Sequence, residues 1–194
     1  MTAIVLSLKP TLELTDDQFY ELCQNNHDLQ LERTADGELI IMPPVGGESG
    51  RQEADILIDL GNWNRQTKLG VVFSSSTCFK LPNGANRSPD AAWIKRKHWQ
   101  ALTPEQQKKF PPISPDFVIE LRSETDPLQP LQQKMQEYID NGVKLGWLIN
   151  PQDRTVEIYR LGQAVEILNS PKSLSGENLL TGFVLDVINI FNWS

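Results

Sequence analysis

The spacing of apolar residues changes period several times along the chain, and each change marks an element. Thr15-Asp16-Asp17-Gln18 has capping-box spacing, and Phe19, Leu22 and Cys23 continue it as the stripe of a short helix ending near Asn25-Asn26. Leu29 to Arg33 and Glu38 to Met42 flank Ala35-Asp36-Gly37 and read as a hairpin with its turn at Asp-Gly. After Pro43-Pro44, the residues Ile56, Leu57, Leu60 and Trp63 recur at helical spacing, predicting a helix from Gly50 to Gln66. Val71 to Phe73 and Thr77 to Leu81 read as two strands about a turn at Ser74-Ser75-Ser76. A short strand follows in Arg87-Ser88-Pro89-Asp90-Ala91-Ala92-Trp93-Ile94, with an acid at its entrance and the basic cluster Lys95-Arg96-Lys97-His98 at its exit. Thr103-Pro104-Glu105 starts another short helix.

The apolar run Phe117-Val118-Ile119 then delivers a carboxylate, Glu120, into a strand with no polar alternation. Beyond Pro127 and Pro130, Leu128, Leu131, Met135, Tyr138 and Ile139 share a helix face, and Lys134 stands at its edge. Leu145 to Ile149 is a further buried-strand signal. Val156 to Tyr159 and Ala164 to Leu168 form a hairpin pattern around Leu161-Gly162-Gln163. Phe183 to Asp186 reads as a last edge strand, before an apolar segment from Val187 to Trp193. Interspersed strands and helices predict an α/β (α+β) fold, a mixed central sheet flanked by helices.

Length and composition narrow the class. At 194 residues, with 39% apolar and 22% charged residues, the chain suits one soluble domain. It has no apolar run near the ~20 residues of a membrane span, and MTAIVLSLKP lacks a basic leader. Cys23 and Cys78 lie far apart and the histidines number two, which argues against a structural zinc site and for a reducing, cytoplasmic setting. A net charge of −7 weighs against strong nonspecific nucleic-acid binding. It leaves a nuclease open, because a metal ion can bridge an acidic cleft to phosphate.

The candidate chemistry centres on Asp90 and Glu120. Two carboxylates on adjacent central strands make an oxygen site for a hard divalent cation such as Mg²⁺. Arg122 shares the face of Glu120 by strand alternation, and Lys134 has a stem long enough to bring its ammonium to the same acids. Lysine is the better proton shuttle of the two, since arginine stays protonated. Taken singly, Glu48, Glu53 and Asp55 are acids suited to a helix N-terminus, Asp116 is a capping or surface acid, His98 a surface residue, and Tyr138 a core residue whose hydroxyl supports the site.

The ordered set of Ser-Pro-Asp before a short strand, Val-Ile-Glu-Leu-Arg-Ser, Lys-x-x-x-Tyr and Asn-Gly-Val-x-x-x-Trp-Leu-Ile-Asn-Pro resembles the Uma-two-type restriction endonuclease family, a branch of the PD-(D/E)xK nuclease superfamily. The resemblance runs from about Thr15 to Phe183. It implies a restriction-endonuclease-like mixed sheet and Mg²⁺-dependent hydrolysis of DNA phosphodiester bonds by a homodimer, with Mn²⁺ as an alternative ion. Pro89-Asp90 matches the first motif acid and Glu120 the second. The next motif position, normally lysine, is Arg122 here, and Lys134 is placed where related branches carry that lysine on the next helix. Glu48 or Glu53 matches a further helix acid. Two alternatives stay open. One is a catalytically weak descendant that binds nucleic acid or protein, which Arg122 and the acidic total favour. The other is a metal-dependent phosphohydrolase acting on small substrates.

Overall fold

The structure is a computed structural model that describes residues 3–191. In chain order it runs β1 (Ile4–Leu6), α1 (Asp16–Asn25), β2 (Gln30–Arg33), β3 (Leu39–Met42), α2 (Gly47–Thr67), β4 (Gly70–Ser74), β5 (Phe79–Lys80) and β6 (Asn86–Arg87). Next come β7 (Ala91–Lys95), α3 (Arg96–Gln100), α4 (Pro104–Lys108), β8 (Phe117–Leu121), α5 (Leu128–Asp140) and β9 (Leu145–Asn150). The chain continues through β10 (Thr155–Arg160), β11 (Glu166–Asn169), β12 (Ser173–Ser175), β13 (Val184–Asp186) and α6 (Ile188–Phe191). Trp193, the end of the expected apolar segment, lies outside the described residues.

The main sheet has six strands in the order β11-β10-β9-β8-β7-β4. Only β8 and β9 are parallel in it, and α5 supplies the crossover that a parallel pair requires. Mixed pairing with helices on both faces is the architecture expected from the element pattern. Two further sheets were not expected. A five-stranded sheet, β1-β3-β2-β6-β5, and a ribbon, β12-β13, stand apart from the main one. The segments on either side of Ser74-Ser75-Ser76 are therefore not hairpin partners, because the chain passes there from one sheet to the other. Phe79 and Leu81 bury against Ala92, Ile94 and Tyr138 instead of pairing with β4. Likewise Val184–Asp186 pairs with β12 and is not an edge of the main sheet.

Strand alternation divides the core. Ala91, Trp93, Phe117, Ile119 and Trp147 pack toward Ile56, Leu60 and Trp63 of α2. Ala92, Ile94, Val118 and Leu148 pack toward Met135, Tyr138 and Ile139 of α5. Each buried Val, Leu, Ile, Met or Phe among them contributes about 1.5–3 kcal/mol. Since Val118 faces α5, alternation turns Glu120 the same way. That turn is what brings Glu120 under Lys134.

Asn64 fastens α2 to the sheet. Its Oδ1 accepts the fully buried Trp93 indole N–H at 2.9 Å and the Gly70 N–H at 3.1 Å, while its Nδ2 donates to the Gly70 carbonyl at 3.0 Å. A side chain at position 70 would strike the Ile94 carbonyl and the Trp93 ring, so glycine is required. Asn64→Ala strands the indole N–H and should cost about 1–3 kcal/mol. An unchanged urea midpoint would show that this link carries no stability.

Candidate functional site

Ala91 lies opposite Ile119 across the antiparallel β7–β8 pair, so the acid before one strand meets the acid near the end of the other. Asp90 Oδ2 accepts the Leu121 backbone N–H at 2.6 Å, which fixes its carboxylate over the end of β8. Glu120 Oε1 accepts the Tyr138 hydroxyl at 3.0 Å and lies 2.8 Å from Lys134 Nζ. Lys134 and Tyr138, four apart on α5, reach the same oxygen because one helical turn stacks them.

The same ammonium lies 2.9 Å from Glu32 Oε1, a carboxylate from β2 in the other sheet. Glu32 also accepts the Ser88 N–H at 2.8 Å and pairs with Arg87 Nη1 at 3.1 Å. Arg87 Nε in turn donates to Glu137 Oε2 at 2.6 Å. Glu120, Lys134, Glu32, Arg87 and Glu137 thus form a line of alternating charge joining the main and five-stranded sheets to α5. The last three partners were not anticipated. Glu32 sits in a short hairpin strand with no pattern to mark it as buried. Of the unanticipated residues, Glu137 alone carried a signal, being three residues from Lys134 on one helix.

The charges are unequally satisfied. Burial first, then the negative charge of Glu120, raises the Asp90 pKa well above the ordinary carboxylate value, with Lys134 opposing. The outer edge of Asp90 is part-open, yet the groups behind it exclude water closely enough for burial to dominate. Glu120 is also raised, by burial and by Glu32, against the pull of Lys134. Glu32 goes the other way: burial opposes its charge, but Lys134 and Arg87 together hold its pKa below the usual value. One ammonium shared by two carboxylates explains the split, and Glu32 has the second cation. Lys134 itself is held protonated, since Glu120 and Glu32 outweigh its burial.

Residues 16–188 match the family model Uma2, described as "Putative restriction endonuclease". The chain belongs to that family. A crystal structure from Anabaena variabilis ATCC 29413, described as a "putative nuclease belonging to DUF820", is similar with a TM-score of 0.76. That likeness covers 92% of this chain and 97% of the other at 19% identity, and shows a shared fold. No curated protein sequence matches the chain.

The remaining residues proposed from the Uma2-like motifs fall in different places. Glu53 accepts a hydrogen bond from the Ser75 hydroxyl, and its charge is felt at Asp90. Glu48 is exposed and lines a cleft of about 590 Å³ instead. That cleft opens at the same end of the sheet, between the start of α2, Ser123–Asp126 after β8, and Pro151-Gln152 after β9. Neither Asp90 nor Glu120 lines it. Arg122 lies past the end of β8, where alternation no longer applies. It pairs with Asp153 at 3.1 Å and donates to the Asp126 carbonyl at 2.9 Å, away from Glu120. Arg122→Gln should therefore change stability by no more than about 1 kcal/mol and leave divalent-ion affinity unaltered. A tenfold loss of ion affinity in this variant would place Arg122 in the site after all.

Among the described residues no group of three or more His, Cys, Asp or Glu side chains is arranged as a metal cluster. The donor set nonetheless fits a hard cation that keeps most of its waters, since Mg²⁺ commonly uses one or two carboxylates. Burial raises the cost of ionising both Asp90 and Glu120, and Glu120 adds to it at Asp90; a divalent ion between them would relieve it. No described helix is long and apolar enough to cross a membrane.

Proposed function

We propose that this chain is a divalent-metal-dependent nuclease hydrolysing DNA phosphodiester bonds. The observation that carries the reading is the meeting of Asp90 and Glu120 at one strand end with Lys134 held against Glu120. Family membership and the description of the similar structure from Anabaena variabilis support it.

Asp90 and Glu120 would hold Mg²⁺ or Mn²⁺, with Glu53 behind them. The bound ion would supply a water of lowered pKa and offset charge on the phosphoryl group. The Leu121 N–H and the Tyr138 hydroxyl keep the two carboxylates oriented. Lys134 stays charged, so it acts as a donor that orients water or a phosphate oxygen, and not as the base. Glu32 holds that ammonium against Glu120. Cutting both strands of a duplex calls for two such sites, hence the expected homodimer. A binding module without cleavage is the second reading. It is favoured by Lys134 already neutralising part of the acid pair.

Calorimetric titration of Mn²⁺ and Mg²⁺ tests the ion site. Wild-type binding should be lost in Asp90→Ala and in Glu120→Ala and kept in Glu48→Ala. Heat that survives both of the first substitutions contradicts the two-acid site.

A further inference from the structure

The opposite end of the same sheet has the opposite charge. β7 begins beside Asp90 and ends at Lys95, which pairs with Gly70 of β4. Its five residues separate the two ends by about 16 Å. At the far end the last turn of α2 carries Arg65 and Lys68 caps it, and the Arg96 N–H donates to the Leu69 carbonyl at 2.9 Å, bringing α3 alongside. Arg65, Lys68, Lys95, Arg96 and Lys97 are all exposed.

None of these five cations has an acid partner among the described residues, although most other Lys and Arg side chains do. Elsewhere just Lys108, Arg154 and Lys172 share that condition, and they are scattered along the chain. The acid amid the cluster is Asp116, which is buried and already engaged. It takes the Lys144 ammonium, His98 Nδ1 at 2.8 Å and the Lys95 backbone N–H at 2.8 Å. Asp116 thus ties the start of α3 to the entrance of β9 and leaves the five outer cations unopposed.

On a chain of net charge −7, this is a local reversal of the field. A polyanion would be steered to this end. Lysine-rich, exposed surface of this kind suits phosphate contacts. Protein interfaces instead favour aromatic and apolar centres and are depleted in lysine.

We propose that Arg65, Lys68, Lys95, Arg96 and Lys97 form a nucleic-acid backbone-binding surface, separate from the acids at Asp90 and Glu120. It engages phosphates without reading bases, and it does so whether or not the acids cleave the strand.

The test is anisotropy of a labelled mixed-sequence DNA duplex with the full chain, in chelator, across a series of salt concentrations. Neutralising three cations in K95Q/R96Q/K97Q should make the slope of log K against log salt shallower by about 2–3. R65Q/K68Q, on a different element, should reduce it in the same direction. R154Q/K172Q changes net charge comparably and should leave the slope as in wild type. Circular dichroism confirms that each variant is folded. A wild-type slope in both cluster variants overturns the proposal, as does an equal loss in R154Q/K172Q. Binding to polyglutamate but not to duplex overturns it in favour of an acidic protein partner.

Discussion

Replacing Lys134 with methionine is expected to lower stability at neutral pH by about 3–5 kcal/mol, the cost of leaving buried charge unpaired. Methionine fills much of the same volume, so the effect isolates the ammonium. Without it, Glu32 keeps Arg87 and Ser88, but Glu120 keeps only the Tyr138 hydroxyl beside a raised Asp90. The deficit should depend on pH. In the native protein Glu32 is depressed below its usual 4.5, so its contribution is present above that value and lost as pH falls through the folded pKa. In the variant, unpaired carboxylates are raised and accept protons earlier, so the gap from wild type narrows on acidification. Urea unfolding at neutral and acid pH measures both. A deficit below 1 kcal/mol at neutral pH, or one that widens in acid, would contradict the shared-ammonium description.

Asp90→Asn is expected to do the reverse, stabilising the metal-free protein while removing function. The folded pKa of Asp90 is raised, so its favourable contribution is complete below the unfolded value of 3.8 and is lost as pH rises through the folded pKa. Above that pKa the group ionises against burial and against Glu120, which costs stability. Asparagine keeps an oxygen for the Leu121 N–H and carries no charge, so a gain of roughly 0.5–2 kcal/mol follows, typical of relieving strain at a functional site. The gain should shrink toward zero in acid, where aspartate is neutral too. The same change removes a proposed anionic ligand, so on that reading ion binding and strand cleavage should both fall below detection. Destabilisation at neutral pH would mean that Asp90 has a favourable partner beyond those described.

What could be read from the chain was local. Glu120 stood out because an acid ended an apolar run, and Asp90 because it opened a short strand. Lys134 stood out because it bordered a helical stripe. Family membership and the mixed sheet were legible for the same reason, as ordered local motifs. Arg122 was not, because its face was inferred from an alternation that stops at Leu121. Glu32 was invisible because its burial depends on Ser88, Arg87 and Lys134, which are far away in sequence. The passage between sheets at Ser74-Ser75-Ser76 was hidden because two short strands about a turn look like a hairpin unless their side chains' packing partners are known.

The proposed reaction is cleavage of phosphodiester bonds by the Asp90–Glu120 pair, backed by Lys134, with a divalent ion. Nicking of supercoiled plasmid by wild-type protein, in Mg²⁺, Mn²⁺ or chelator, tests it most directly. Nicking should need the ion and disappear in Glu120→Gln, a variant whose amide oxygen can still accept from the Tyr138 hydroxyl and the Lys134 ammonium. Ion-dependent nicking that persists at the wild-type rate in Glu120→Gln would contradict it. So would a folded, ion-bound wild-type protein that leaves the plasmid intact.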